Sequence, residues 1–359
     1  MMKRNHWKLA AVCLCLLIGV TGCQNKEEEE KALSMQEPAE KQFITIGFSQ
    51  IGSESDWRMA STRSVQEAFT AENGYSLIYN DGQQKQENQI KAIREFIDQD
   101  VDYILLDPCV ETGWDSALLE AKEAGIPVIV YDRDVAVDDE SLFTAWIGSD
   151  FYLEGERACT WLSEYLKAYR YNSDINIVHI QGTLGASAQI GRTEALMNAL
   201  TQHDNWHLLE QESGDFTTAK GKEVMERMLF HHGGNINVIY CENDNEAYGA
   251  IESIEHAGYR IGSDLRNREM LILSFDATHN GLMLTKEGKI AVNTECSPLY
   301  GPKLREMIEA LERGEELPHR TYINEEQFSN FSGIGTLHID GEAYAVTPLT
   351  DALLEEREY

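Results

Sequence analysis

Basic residues are scarce in this chain, which has 30 Lys and Arg against 61 Asp and Glu and a formal net charge of −31. Proteins that bind nucleic acid neutralise its phosphates with Lys and Arg side chains. The composition therefore excludes nucleic acid as a partner. It also excludes adhesion to anionic lipid through surface charge alone.

Sequence motifs of common α/β enzymes are missing as well. Gly47-Phe48-Ser49-Gln50 is followed by Ile51, so there is no G-x-S-x-G nucleophile elbow. Gly182 and Gly185 lack the spacing of a G-x-G-x-x-G dinucleotide site, and no glycine-rich turn with lysine offers a phosphate cradle. These absences predict a protein that is not an enzyme and needs no cofactor.

Cysteine pairs of the C-x-x-C type are absent too, which argues against a zinc site, and no metal is predicted. Cys13, Cys15 and Cys23 lie in the N-terminal segment. The other four, Cys109, Cys159, Cys241 and Cys296, are expected to be small buried hydrophobes, with a disulfide between two of them left open.

The N-terminal segment has the features of a bacterial lipoprotein signal. A basic start is followed by the apolar run Leu9–Val20, whose twelve residues are too few to span a bilayer. Small residues then precede Cys23. We expect residues 1–22 to be removed and Cys23 to be lipidated, which anchors the protein outside the cell membrane; the alternative is an ordinary secretory signal.

Residues 23–42 are polar and acidic, with Glu27–Glu30 in a row, and predict a flexible linker. From Phe43, short apolar runs alternate with amphipathic stretches, which indicates right-handed βαβ units on parallel sheets. Ten strands are predicted, in two groups of five: Phe43–Ser49, Leu77–Asn80, Tyr103–Asp107, Pro127–Tyr131 and Thr144–Gly148, then Ile175–Gln181, His207–Glu212, Val238–Cys241, Leu271–Asp276 and Ile290–Cys296.

Eight helices are predicted between these strands and after the last one: Trp57–Asn73, Lys85–Asp98, Trp114–Ala124, Tyr152–Lys167, Ile190–Gln202, Thr217–Phe230, Asn245–Ala257 and Pro298–Glu312. The rhythm breaks after Phe328. There Asp340-Gly341 predicts a β-hairpin, and the tail has no assigned role.

Polar and aromatic side chains follow the predicted strands, at the sheet edge where open parallel sheets bind ligands. The candidates are Glu54, Trp57, Arg58, Asp132, Arg133, Arg192, Phe216, Asn243, Asp276 and Glu295. Aromatic faces with fixed acids, amides and arginines suit a neutral polyhydroxylated ligand, because each hydroxyl both donates and accepts hydrogen bonds.

Several of these strand-end residues have a purely structural alternative. Asp81, Asp107 and Asp244 precede predicted helices and are as compatible with N-caps as with ligand contacts. Trp57 and Phe216 are also compatible with core or interlobe packing. Asp132-Arg133 favours binding, since a helix cap needs no arginine.

The strand-end segments resemble the periplasmic sugar-binding proteins of ABC transporters, in the ribose- and galactose-binding group and nearest to the galactofuranose binders. The resemblance covers about residues 43–325. It rests on segments 52–58, 81–89, 112–114, 132–133, 181–187, 213–226 and 243–244.

The resemblance implies an α/β type I periplasmic binding protein: two Rossmann-like lobes of parallel sheet flanked by helices and joined by a three-crossover hinge. It places the N-terminal lobe at 43–147 plus 297–325, the C-terminal lobe at 148–296 plus 326–349, and a tail at 350–359. The crossings are expected near Gly148, Cys296–Ser297 and Glu325–Phe328. Relatives hold the sugar with residues matching Trp57, Arg58, Asp132, Arg133, Arg192, Asn243 and Asp276, and they carry a carboxylate or amide at Glu295.

Two positions depart from the resembled pattern. Ala277 stands where relatives have glycine, and Gly191 stands where the galactofuranose binders have an acid. These differences affect the identity of the sugar that binds more than they affect the class of ligand.

The sequence thus predicts a monomeric, lipid-anchored solute-binding protein that captures a monosaccharide and delivers it to an ABC permease. The alternative is a receptor of the same fold that reports to a histidine kinase or chemoreceptor.

Overall fold

The computed structural model describes residues 43–359. The predicted signal peptide, Cys23 and the acidic linker lie outside the described residues. Among the helices of residues 43–359, none is both long and apolar enough to cross a membrane.

The described chain alternates strands and helices. The strands are β1 (Ile44–Gln50), β2 (Tyr75–Asp81), β3 (Tyr103–Leu106), β4 (Val128–Tyr131), β5 (Ala145–Gly148), β6 (Ile175–Gln181), β7 (Trp206–Ser213), β8 (Val238–Cys241), β9 (Arg260–Ile261), β10 (Glu269–Asp276), β11 (Val292–Glu295), β12 (Arg320–Tyr322), β13 (Gln327–Phe328), β14 (Thr336–Ile339) and β15 (Glu342–Ala345). The α-helices are α1 (Asp56–Ala68), α2 (Gln86–Asp98), α3 (Asp115–Ala124), α4 (Phe151–Ala168), α5 (Ser187–Gln202), α6 (Thr218–His232), α7 (Asp244–His256), α8 (His279–Lys286), α9 (Gly301–Glu312) and α10 (Asp351–Glu356).

Two parallel sheets organise these elements. The first has the order β12-β5-β4-β3-β1-β2, and the second has the order β13-β11-β10-β8-β6-β7, with β9 beside β10. Only β13 runs antiparallel to its neighbour in the second sheet. The predicted two-lobed α/β fold is confirmed, and the predicted hairpin is present as the antiparallel pair β14–β15.

The strands form where apolar side chains cover both faces of a sheet. In β3 every residue is buried. Tyr103 and Leu105 pack in one hydrophobic cluster, while Ile104 and Leu106 pack in another. Successive side chains of a strand point to opposite faces, so each central strand links the helix layers on both sides of its sheet.

The four cysteines within residues 43–359 are all buried free thiols. Burial raises the pKa of Cys159 to about 12, so this thiol stays protonated. Their placement agrees with the expectation of small buried hydrophobes.

The chain passes between the two sheets three times: from β5 to α4, from β11 to α9, and from β12 to β13. One carboxylate connects these crossings. Glu325, on the third, accepts hydrogen bonds from the Ser149 hydroxyl of the first (2.8 Å) and from the Ser297 backbone N–H of the second (2.7 Å). The hinge therefore has a shared polar centre.

Close helix packing in the second lobe depends on glycine. A β-carbon on Gly249 of α7 would lie 2.3 Å from the carbonyl oxygen of Thr218 and 2.5 Å from the backbone nitrogen of Lys222, both on α6. We predict that Gly249→Ala lowers the free energy of unfolding by about 1–3 kcal/mol, because the helices must move apart.

Urea denaturation followed by circular dichroism measures this change. Gly335→Ala is the control, since nothing lies within 4 Å of a β-carbon there, and it should change stability by less than about 0.5 kcal/mol. Equal effects of the two substitutions would contradict the packing argument.

The hinge carboxyl also predicts a pH dependence. Burial first, and then the nearby Glu154, raise the pKa of Glu325 well above its usual value of 4.5. The folded state therefore holds a proton that the unfolded chain releases, and the stability this group contributes is lost as pH rises through the folded-state pKa. Glu325→Gln cannot ionise, so we expect it to be more stable than the original protein near pH 7–8.

Thermal melting at several pH values tests the direction of this pH dependence of stability. The advantage of Glu325→Gln should shrink towards pH 4, where the carboxyl is protonated in both states. Glu326→Gln, at an exposed neighbouring position, is the control. If the stability advantage of Glu325→Gln grew as pH fell, the predicted direction of the pH dependence would be wrong.

Candidate functional site

A small cavity of about 30 Å³ lies at the carboxyl ends of the strands of both lobes. This volume is far below the usual range for small-molecule pockets, so the lobe faces lie close together around the cavity. The lining residues are Glu54, Ser55, Trp57, Arg58, Asp132, Arg133, Phe151, Ala188, Arg192, Phe216, Asn243, Asp276 and Cys296.

Arg58 organises the first-lobe side of the cavity. Ser55 caps the N-terminus of α1 by accepting a hydrogen bond from the Arg58 backbone N–H (3.1 Å), which fixes where the arginine side chain starts. The Arg58 guanidinium donates to Glu54 (3.0 Å), Asp132 (3.0 Å) and Asp107. One buried cation thus holds three carboxyl groups in place.

The charges of this cluster are strongly coupled. Burial lowers the pKa of Arg58, but Asp107, Asp132 and Glu54 outweigh it, and the net effect raises this pKa well above its ordinary value. Burial raises the pKa of Asp107 well above its usual range, although Arg58 opposes the shift. Asp107 therefore takes up a proton more readily than an exposed aspartate does.

Asp132 and Arg133 present polar atoms to the cavity. Asp132 adopts φ 57°, a left-handed conformation that is costly for a non-glycine residue and typical of binding sites. Its Oδ2 accepts from Arg58, whereas no hydrogen bond from residues 43–359 reaches its Oδ1. Arg133 donates through Nη1 to the Cys109 carbonyl (2.9 Å), and its Nε and Nη2 have no such partner within the same residues.

Arg192 has the corresponding place in the second lobe. Its Nε donates to Glu154 (2.7 Å), and its Nη1 donates to the Glu242 carbonyl. The guanidinium carbon lies 4.8 Å from the centre of the Phe275 ring. Burial lowers the pKa of Arg192, but Glu154 and other anionic groups outweigh burial and raise it overall.

Asp276 lies near Arg192 but is not hydrogen-bonded to it. Arg192 Nη2 and Asp276 Oδ1 are 3.7 Å apart, too far for a hydrogen bond. Among the described residues, neither carboxylate oxygen of Asp276 receives a hydrogen bond, so both are available to a ligand. Asp276 has φ 91° and Ala277 has φ 52°, which makes this turn a second strained segment at the site. Burial raises the pKa of Asp276, and Arg192 opposes the shift.

Asn243 and Phe216 complete the second-lobe side. Asn243 caps α7 by accepting from the Glu246 backbone N–H (2.8 Å), and its Nδ2 donates to the Phe216 carbonyl (3.1 Å). The Phe216 ring lies against Gly182, where a β-carbon would fall 1.9 Å from Cζ. Glycine at 182 is therefore required for the position of this ring.

Trp57 connects the first lobe with the hinge. Its indole Nε1 donates to the Cys296 carbonyl (2.5 Å), on the second crossing. The ring packs edge-on against Tyr300, with centroids 6.5 Å apart, and the Arg58 guanidinium carbon lies 4.6 Å from the ring centre. Trp57 is thus both a cavity wall and part of the core, and its contact with a ligand stays a prediction.

Nine of the ten candidates from the sequence line the cavity, and Glu295 does not. Glu295 accepts from the Glu326 backbone N–H (2.7 Å), Arg357 (2.7 Å) and the Tyr359 hydroxyl (2.9 Å). The predicted ligand contact at Glu295 is therefore not supported, because the tail takes up its carboxylate.

The possible N-caps have other roles. Asp107 is the partner of Arg58, and the N-cap of α3 is Trp114. Asp81 accepts from the backbone N–H of Gln83 in a turn. Asp244 lies inside α7, and its carboxylate accepts from three neighbouring residues, Ser274, Thr278 and Asn293.

Sequence reasoning missed Phe151, Ala188, Ser55 and Cys296 as lining residues. Phe151 follows the predicted crossing near Gly148, and Cys296 ends the last predicted strand, at the second predicted crossing. At both places the chain passes the cavity. That position was the available signal. Ser55, the N-cap of α1, and Ala188, in the first turn of α5, are small residues and had no chemical signal.

Two groups within residues 43–359 bring three metal-ligand atoms within 4.8 Å of one another. They are Glu154, Cys296 and Glu325 at the hinge, and Glu210, His231 and His232 on the second-lobe surface. In the hinge group, Glu154 already accepts a hydrogen bond from Arg192, and Glu325 accepts one from Ser149. The absence of a metal stays a prediction.

Comparison with known proteins places this geometry in a family. The family model described as a periplasmic binding protein domain matches residues 46–300. The galactofuranose-binding protein of Escherichia coli (strain K12) is 38% identical over 279 residues, which are 77% of this chain and 85% of the relative.

Solved structures agree with this match. A Mycobacterium smegmatis protein in complex with β-D-fucofuranose is 38% identical, with TM-score 0.75 over 81% of this chain and 92% of the other. The binding-protein component of the arabinose ABC transporter of Shewanella sp. ANA-3, bound to α- and β-L-arabinofuranose, is 35% identical, with TM-score 0.76 over 88% and 95% of the two chains.

These relatives confirm the resemblance noted in the sequence and the expectation of a binding protein rather than an enzyme. The family model and the relatives both extend well beyond half of the chain. This chain belongs to the periplasmic binding protein domain family.

Proposed function

We propose that this protein captures a monosaccharide in its furanose form between the two lobes and delivers it to an ABC permease, while Cys23 anchors it to the membrane by lipid. The observation that carries the sugar assignment is the set of cavity-facing polar atoms without partners among residues 43–359. Asp132 Oδ1, Arg133 Nε and Nη2, and both oxygens of Asp276 belong to this set.

These atoms match the needs of a neutral polyol. A carboxylate accepts from a sugar hydroxyl, while a guanidinium donates to the same or the next hydroxyl through charge-assisted bonds. Trp57 and Phe216 offer aromatic faces to C–H groups of the sugar ring. An analogue that leaves one of these charged groups unpaired loses affinity, which supplies selectivity between epimers.

The furanose form is supported by relatives. The proteins that are 35–38% identical and cover most of this chain include a galactofuranose-binding protein, a β-D-fucofuranose complex and an arabinofuranose complex.

Direct contacts join the lobe faces, since Ala186, Ala188 and Phe216 of the second lobe pack in one hydrophobic cluster with residues of the first lobe. Besides the Arg133 guanidinium 5.0 Å from the centre of the Phe216 ring, the Asp134 backbone N–H donates to Ser187 Oγ (2.9 Å) and the Glu111 N–H donates to the Gly185 carbonyl (2.9 Å). A ligand that touches both lobes adds to these contacts and so favours the closed arrangement. A permease, or the alternative sensor kinase, would read the closed form.

Isothermal titration calorimetry of residues 24–359 tests the proposal with galactose, arabinose, fucose, ribose and fructose, whose solutions contain furanose forms. Saturable binding of one sugar is expected. Heats no larger than dilution for every sugar, from protein shown to be folded, would refute the sugar assignment.

Asp132→Asn removes a charge from the proposed site while keeping its shape. We predict that it weakens sugar binding about 10- to 100-fold, the cost of losing a charge-assisted hydrogen bond. Asp138→Asn, at an exposed position six residues away, is the matched control and should bind as the original protein does. Equal affinities of the two variants would remove Asp132 from the site.

The anchor is tested by Cys23→Ser in the full-length chain produced in a bacterial host. Without the thiol that accepts lipid, the protein should move from the membrane fraction to the soluble extracytoplasmic fraction, as measured by immunoblotting. Cys15→Ser is the control and should stay with membranes. A Cys23→Ser protein that still sediments with membranes would contradict the lipid anchor.

A further inference from the structure

The tail after the hairpin packs against the second lobe beside the cavity. Helix α10 places Leu354 in a hydrophobic cluster with Ala277, Leu282, Phe328 and Leu349. Ala277 directly follows Asp276, the second-lobe carboxylate with two available oxygens. The tail therefore covers the back of the turn that presents Asp276.

Arg357 makes the polar contacts of this tail. Its Nε donates to the Ala277 carbonyl (2.8 Å), and its Nη1 donates to Glu295 at the end of β11 (2.7 Å). The Tyr359 hydroxyl donates to the same Glu295 oxygen (2.9 Å), and the Tyr359 carbonyl accepts from the His279 backbone N–H (2.5 Å). One side chain thus joins the binding turn to the strand that leads into the second crossing.

The binding turn needs such support. Asp276 and Ala277 both have positive φ, 91° and 52°, which side chains with a β-carbon rarely adopt. From within the lobe, Asn293 accepts from the Ala277 N–H (3.0 Å) and Asp244 accepts from the Thr278 N–H (2.9 Å). Arg357 adds a hydrogen bond to the Ala277 carbonyl, so the peptide groups on both sides of Ala277 are fixed.

We propose that Arg357 is a positioning residue: it holds the strained Asp276–Ala277 turn in the conformation that directs the Asp276 carboxylate into the cavity. Without its guanidinium, the Ala277 peptide relaxes towards negative φ and Asp276 turns away from the ligand. The affinity consequence rests on the proposed function, whereas the effect on the turn does not.

The test compares Arg357→Met with Lys286→Met. The first keeps an apolar stem but removes the donors to Ala277 and Glu295. The second removes the exposed ion pair between Lys286 and Asp351 at the other end of α10, and so perturbs the tail without touching the turn. We expect Arg357→Met to bind sugar about tenfold more weakly, and Lys286→Met to remain within about twofold of the original protein.

A second substitution separates positioning from general destabilisation. Glycine adopts positive φ without steric cost, so Ala277→Gly in the Arg357→Met protein should restore affinity to within about threefold of the original. A loss caused only by a damaged tail would not recover with this change. Full affinity of Arg357→Met, or no recovery in the double variant, overturns the proposal.

Hydrogen exchange without sugar tests the turn independently of any ligand. Backbone amides of residues 277–279 should exchange faster in Arg357→Met than in Lys286→Met, with unchanged exchange in the β6 strand. If the original protein binds no sugar but this difference appears, the proposed ligand fails and the role of Arg357 in the turn stands. Identical exchange in the two variants refutes that role.

Discussion

Two buried guanidinium groups, one in each lobe, determine the construction of the binding cleft. Arg58 and Arg192 are 3% and 2% exposed, so each depends on carboxylates and carbonyls to compensate for lost hydration. Removing one partner of such a pair leaves an uncompensated buried charge. The acids around each arginine are therefore fixed, and with them the direction of Asp132 in the first lobe and of Glu154 in the second.

This fixed arrangement gives the cleft its chemistry. Arg58 and Arg192 each use Nε and Nη1 for hydrogen bonds within the protein, and Asp132, Arg133 and Asp276 also keep atoms available. The proposed binding groups are thus oriented before a ligand arrives, which lowers the ordering cost of binding. The hinge adds a further constraint, since Glu325 joins all three crossings through its hydrogen bonds with Ser149 and Ser297.

The sequence predicted the long, regular elements well because their apolar patterns are local. The runs at β3 and β8 are continuous and buried on both faces, and strand ends identify the cavity side of each sheet. Short elements such as β12, β13 and α10 were missed because their own sequence patterns are too weak to predict them. Strand β12 is stabilised by pairing with β5, β13 by pairing with β11, and α10 by packing on α8. Glu295 shows the same limit: a strand end gives the position of a side chain, but Arg357, 62 residues away, determines its partner.

Small-angle X-ray scattering of residues 24–359, with and without the sugar identified by titration, tests the central claim that ligand bridging closes the two lobes. The radius of gyration should be larger without sugar, and its decrease should saturate at the same sugar concentration as binding. An unchanged radius of gyration at saturating sugar would contradict closure of the lobes around a bridging ligand.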